Sequence, residues 1–139
     1  MGSEAALTIA SRLPEIARAR QWLRDHARAA GFTERAIHDL ELVLSEACTN
    51  VIKHAYHGQP DYPIALRLVI DETKLVLVIR DIGTKFDLSA YTPPDLDQPR
   101  ERGYGVFIIR SLMDEVHYDT TGERGTTLTL VKYRTRPTA

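Results

Sequence analysis

The sequence predicts an α+β fold, a two-layer sandwich in which a mixed, mainly antiparallel sheet is covered on one face by three helices. Three observations point there. Two long segments early in the chain repeat apolar residues at spacings of three and four. Two alternating segments in the middle are joined by a short polar turn, and two more strand-like segments close the chain around a glycine-bounded turn. The chain has 139 residues, of which 43% are hydrophobic, enough for one core. No repeat or linker divides it, so residues 1–139 read as a single domain.

In chain order, Ala5 to Ala10 suits a short strand. Ser11 and Pro14 supply a cap and a first-turn proline for a helix that runs to about Ala30 and stops at Gly31. Ile16, Ala19, Trp22, Leu23 and Ala27 fall on one face of that helix, leaving Arg18, Arg20, Arg24 and Arg28 for wetter faces. Thr33, followed by an acid, opens a second helix ending near His57-Gly58, with Ile37, Leu40, Leu44, Cys48, Val51, Ile52 and Ala55 on its apolar side. Ile64, Leu66, Leu68 and Ile70 alternate with Ala65, Arg67 and Val69 as a strand. Asp71 to Lys74 turn the chain into a second strand, Leu75 to Arg80. Residues 87–102, rich in proline and acids, read as a loop, and Tyr104 to Val116 as a third helix. Val116 to Thr121 and Thr126 to Tyr133 form a final hairpin around Gly122-Glu123-Arg124-Gly125, followed by a polar tail.

Composition excludes several classes of function. The formal net charge of -1 announces neither a nucleic-acid nor a membrane-surface binder. No apolar run approaches the roughly 20 residues that span a bilayer, and the N-terminus lacks the order of a signal peptide. The expected setting is therefore cytoplasmic. The single cysteine, Cys48, rules out an internal disulfide and falls among apolar residues as a small hydrophobe.

The chemistry gathers in three places. Glu46 and Asn50 stand one helical turn apart, displaced from the centre of the apolar side, and point together into a cleft. Carboxylate and amide oxygens are hard ligands suited to Mg²⁺, and a carboxylate can also serve as base toward an incoming hydroxyl. The bland alternative is a solvated polar stripe. Asp81-Ile82-Gly83 follows a hydrophobic strand, where a carboxylate can accept from an exocyclic amine such as adenine's and a glycine lets backbone approach a flat ring. A plain strand-end turn is the alternative there. Gly103-Tyr104-Gly105 enters a helix, where backbone N–H groups can hold phosphate oxygens with Arg102 beside them; a simple hinge is the competing reading. No P-loop, no dinucleotide-binding glycine pattern and no hydrolase serine elbow is present. His54 and His57, even with Glu46, fall short of a zinc set, and His54 suits the helix end or the lining of the cleft.

In this order and with these gaps, the motifs resemble the GHKL (Bergerat-fold) ATPase and kinase superfamily, and within it the small anti-sigma-factor serine/threonine kinases of partner-switching systems. The likeness runs from about Leu7 to Lys132. It is carried by Leu44-Ser45-Glu46-Ala47-Cys48-Thr49-Asn50 with His54-Ala55-Tyr56, by Asp81 to Asp87, by Glu101 to Val116 and by Gly125-Thr126-Thr127. The resemblance implies that ATP and Mg²⁺ are used, that Asn50 binds the metal, that Asp81 with Gly83 reads adenine, and that Thr127 supports that contact. It further implies that Arg102, Gly103, Tyr104, Gly105 and Val106 lie along the phosphates, that about 87–102 form an ATP lid, and that Glu46 is the general base. A STAS-type anti-anti-sigma protein as substrate, a sigma factor as second partner and a homodimer with the first strand and helix near the shared surface are implied in the same way. The phosphoacceptor helix of the histidine-kinase branch is not seen here. A non-catalytic, nucleotide-dependent binding module and a water-using ATPase are the competing functions.

Overall fold

The computed structural model describes residues 2–87 and 105–134. Strand β1 (Ser3–Ala10) leads into α1 (Leu13–Ala29) and α2 (Glu34–Asn50), and a π turn over Val51–Ala55 continues α2. Then follow β2 (Pro63–Ile70), β3 (Lys74–Arg80), α3 (Gly105–Leu112), β4 (Glu115–Asp119) and β5 (Thr127–Tyr133). The five strands form one sheet in the order β1-β2-β3-β5-β4. Every described pairing is antiparallel, so the expected mixed sheet is corrected to an antiparallel one. Its chain-order break, β5 between β3 and β4, follows from α3 carrying the chain past β5's place before the last hairpin returns.

The core forms where the two periodicities meet. Ile64, Leu66, Leu68 and Ile70 on β2, Leu75, Leu77 and Ile79 on β3, and Leu128 and Leu130 on β5 all turn to the same face and are buried. Against them lie Ile16, Ala19, Leu23 and Ala27 of α1 and Ile37, Leu40, Val43, Leu44, Ala47 and Cys48 of α2. Trp22 sits at the margin, edge-on to His26. Burial pushes the Cys48 thiol up to about 12, which keeps it an unreactive hydrophobe.

Local sequence sets the helix ends. Thr33 caps α2 by accepting the Ala36 N–H at 3.2 Å. At the end of α1, Phe32 N–H bonds Ala27 O at 3.1 Å and Gly31 N–H bonds Arg28 O at 3.0 Å, with Gly31 at φ 88°. This closing pair needs a residue that tolerates the left-handed region. Ser11 does not cap α1. The cap position is Arg12, whose side chain makes no capping bond, and buried Ser11 instead donates to Gln59 O at 2.6 Å and accepts from Tyr62 N at 3.0 Å. Its hydroxyl ties the first strand's exit to the turn before β2, a distant use that no local pattern announces.

Two further boundaries differ from expectation. The third helix ends at Leu112 and not Val116, because Lys132 Nζ reaches across from β5 to the Leu112 carbonyl at 2.8 Å and Asp114 N bonds Val131 O at 2.9 Å. Glu115 is then already in the sheet opposite Val131. The second helix is not uniformly α-helical. Tyr56 N bonds Val51 O at 3.0 Å, a five-residue reach that widens the last turn.

Candidate nucleotide site

A cleft of about 620 Å³ opens between the end of α2, the loop after β3, the start of α3 and the inner faces of β4 and β5. That size suits a drug-sized or nucleotide-sized ligand. Its floor is apolar, from Ala47, Val51, Ile79, Ile109 and Leu128. One wall is an aromatic pair, Phe86 and Tyr118, stacked with centroids 4.3 Å apart and planes 15° from parallel.

The strand exit supplies the carboxylate. Asp81 is only 4% exposed yet lines the cleft. Its N–H donates to Thr126 O at 3.1 Å and its Oδ1 accepts the Gly83 N–H at 3.0 Å. Burial raises the Asp81 pKa above the usual carboxylate value, and the backbone N–H groups of Gly83 and Thr126, which favour the charged carboxylate, oppose the rise. A buried acceptor aimed into an apolar cleft can choose ligands that present a donor.

Two glycines make this loop possible. A methyl on Gly83 would stand 2.3 Å from the Ala55 carbonyl oxygen, and one on Gly125, at φ 75°, would stand 1.9 Å from the Asp81 carbonyl oxygen. Both neighbours are backbone. Gly83 is therefore required by its packing on the end of the π turn, where Thr84 N also bonds Ala55 O at 2.9 Å. That close approach is a different one from the ring contact expected of it.

At the other end of the cleft, α2 presents Glu46 and Asn50 to the first residue of α3. A methyl on Gly105 would lie 3.0 Å from Asn50 Nδ2, 3.3 Å from Asn50 Oδ1 and 3.3 Å from Glu46 Oε2. The helix N-terminus, the amide and the carboxylate thus share one small volume. Gly105, buried Val106 and exposed His54 line the cleft. His57 turns away to bond Thr84 Oγ1 at 2.9 Å. Among the described residues no group of three or more His, Cys, Asp or Glu could hold a metal ion. The donor set present fits Mg²⁺, which commonly takes one or two protein oxygens and completes its shell with phosphate and water.

Thr127 is not at the site. Along β5 the residues turned to the helices are Leu128 and Leu130, so the parity that faces the cleft belongs to Thr126, which lines it and is 6% exposed. Thr126 Oγ1 also accepts the Phe86 N–H at 2.9 Å. Thr127 points to the opposite face, between Arg80 and Asp119. Strand alternation read from Leu128 and Leu130 is the signal that selects Thr126. Phe86, Tyr118 and Tyr56 carried no such signal. Arg102, Gly103, Tyr104 and most of the lid segment lie outside the described residues.

Comparison with known proteins shows the family. The model of the histidine kinase-like ATPase domain matches residues 9–132. The chain is 38% identical over 117 residues to the serine-protein kinase RsbW of Listeria monocytogenes, covering 77% of this chain and 72% of that protein. It is 35% identical over 115 residues to RsbW of Bacillus subtilis, covering 77% and 71%. The chain belongs to the histidine kinase-like ATPase family, in its serine-protein kinase branch. The fold matches the crystal structure of the RsbU and RsbW domains of Rv1364c from Mycobacterium tuberculosis, with a TM-score of 0.69 at 18% identity, over 94% of this chain and 31% of that one. It also matches the histidine kinase domain of the Erythrobacter litoralis EL346 blue-light activated kinase, with a TM-score of 0.54 at 21% identity, over 86% and 59%. The α+β fold is thus that of the GHKL superfamily. No described helix is long and apolar enough to cross a membrane.

Proposed function

We propose that this chain is an ATP- and Mg²⁺-dependent protein serine/threonine kinase acting in the cytoplasm as a homodimer, that it phosphorylates a STAS-type anti-anti-sigma protein, and that it alternatively sequesters a sigma factor. The observation that carries the reading is the meeting of Glu46, Asn50 and the Gly105 start of α3 at one end of a cleft whose other end holds buried Asp81. The names of the RsbW relatives support the kinase activity; the partner proteins and the dimer rest on the family resemblance.

In this reading Asp81 accepts the adenine amine. Thr126 takes the supporting place first given to Thr127. Asn50 ligates Mg²⁺, which when bound neutralises phosphate charge. The N-terminus of α3, through Gly105 and Val106, lies along the phosphates together with Arg102, Gly103 and Tyr104, and His54 lines the same cleft. Residues 87–102 act as the lid. Glu46 takes the proton of the incoming serine or threonine hydroxyl while the hydroxyl oxygen bonds to the γ-phosphorus and ADP leaves. Phosphoryl transfer depends mainly on positioning and charge neutralisation, so a small residue set suffices.

The test is transfer of labelled γ-phosphate to a STAS partner. Glu46→Gln is expected to bind ATP as the wild type does and to lose transfer; retained transfer rules out Glu46 as the base. ATP binding by the wild type with no phosphoprotein formed favours a switch module instead.

A further inference from the structure

Tyr56 follows the π turn, and its side chain is buried beneath the loop that leaves β3. Its ring stacks on Tyr62 with centroids 5.1 Å apart. Its hydroxyl donates to Pro63 O at 2.5 Å and accepts the Ile82 N–H at 3.0 Å. The strand register explains why these two partners are together. Ala65 pairs with Arg80, the last pair of the β2–β3 ladder on this side. Carried two residues further, the same register would oppose Pro63 to Ile82. The ladder stops instead, and the phenol oxygen stands between the two backbone groups, relaying Ile82 N–H to Oη and Oη–H to the Pro63 carbonyl. Direct pairing there would keep residue 82 in line with β3. The inserted hydroxyl spreads the strands at the residue after Asp81.

The geometry points to Tyr56 as a positioning residue for base recognition: its hydroxyl holds the sheet open between Pro63 and Ile82 and so aims the Asp81 carboxylate into the cleft. This rests on the adenine reading of Asp81 above. Asp81 is held on one side by Thr126 and by its own bond to Gly83, and Thr84 is pinned to Ala55 on the other. Ile82 lies between them, and the Tyr56 hydroxyl restrains its backbone N–H. Losing that oxygen leaves a donor and a carbonyl without their partner, a state the loop relieves by shifting.

The experiment compares ATP with inosine triphosphate, which carries a carbonyl where adenine carries its amine, by calorimetry on wild type and Tyr56→Phe. The variant is expected to lose about tenfold in ATP affinity with little change for inosine triphosphate, so the preference falls by about tenfold. A merely structural role moves both affinities together, and an unchanged preference overturns the proposal. Tyr62→Leu removes the ring stack and keeps the hydroxyl; it is expected to retain the wild-type preference, and a loss there overturns the assignment to the hydroxyl. Should Tyr56→Phe not fold, hydrogen exchange at the Ile82 amide of the wild type decides: ATP is expected to slow it at least about tenfold, and an unchanged rate overturns the proposal. A wild type that does not prefer ATP overturns the Asp81 reading itself and this inference with it. A preference that survives Tyr56→Phe overturns only the role of Tyr56.

Discussion

Gly105→Ala separates stability from activity at a single atom. The added methyl meets Asn50 Nδ2 at 3.0 Å and Glu46 Oε2 at 3.3 Å, both ends of rotatable side chains and neither of them backbone. The fold accommodates it by turning those side chains aside. Alanine is the better helix former, and replacing glycine where the backbone permits it contributes about 0.4–1 kcal/mol, chiefly by restricting the unfolded chain. For a domain of this length that is a rise in Tm of roughly 1–4 °C. The displaced pair carries the opposite effect, since a misplacement of about 1 Å in a reacting group can cost about a hundredfold in rate. The expected result is an unchanged or raised melting temperature without nucleotide, with phosphotransfer to a STAS partner reduced tenfold or more. Thermal unfolding followed by circular dichroism and a single-turnover labelled-phosphate assay check the two halves. A Tm lowered by several degrees, or full activity, refutes the reasoning, the first because a backbone clash is present and the second because the Asn50–Glu46–Gly105 contact does not matter to the chemistry.

Gly83→Ala places a methyl 2.3 Å from the Ala55 carbonyl oxygen, where no side-chain rotation relieves the clash, so a loss of about 1–3 kcal/mol and weaker ATP binding are expected together in melting and calorimetry. Asp81→Asn keeps an acceptor for the Gly83 N–H and removes a buried charge. Because the folded pKa of Asp81 is raised, its ionisation opposes folding; the penalty is absent below the unfolded value near 3.8 and grows as pH rises to the folded value. The Tm of the asparagine variant is therefore expected to exceed that of the wild type at neutral pH and to converge with it in acid, while ATP affinity falls about tenfold or more. Leu23→Ala, at a site with 0% exposure, is expected to cost about 2–5 kcal/mol in denaturant unfolding and to leave ATP affinity of the folded protein unchanged.

Much of the fold is legible because burial imposes its period on the sequence. Ile64 to Ile70 can bury alternate residues only as a strand, and Ile16 to Ala27 can bury theirs only as a helix. The Glu46–Asn50 spacing is legible for the same reason, as a four-residue step on a helix fixes a shared direction. What was missed depends on partners far away in the chain. Ser11 is taken from its capping role by Gln59 and Tyr62, and the third helix is cut short by Lys132, twenty residues on. The π turn is invisible to a periodicity count, since one extra residue in a turn at the end of a long helix leaves Ile52 and Ala55 buried either way. The error at Thr127 was of another kind: the alternation through Leu128 and Leu130 was present in the sequence and selects Thr126 once the direction of the helices is known.

The glycines divide the site into two mechanical halves. At the Asp81 end, Gly83 and Gly125 each face a carbonyl oxygen of the main chain, closer than any side chain allows, and the Tyr56 hydroxyl fastens the residue between. Main-chain contacts of this kind hold the loop without rotamer freedom, and the Gly83 N–H restrains Asp81 Oδ1 at 3.0 Å. At the Gly105 end the neighbours are the tips of Asn50 and Glu46, which turn about their own bonds. A base-reading group gains selectivity from rigidity, since a wrong ligand then meets an acceptor that cannot move away. In the proposed reading Asn50 and Glu46, as metal ligand and general base, follow phosphates and a hydroxyl that change position during transfer. Substitutions at the first end are accordingly expected to act on which nucleotide binds, and substitutions at the second on how fast the phosphoryl group moves.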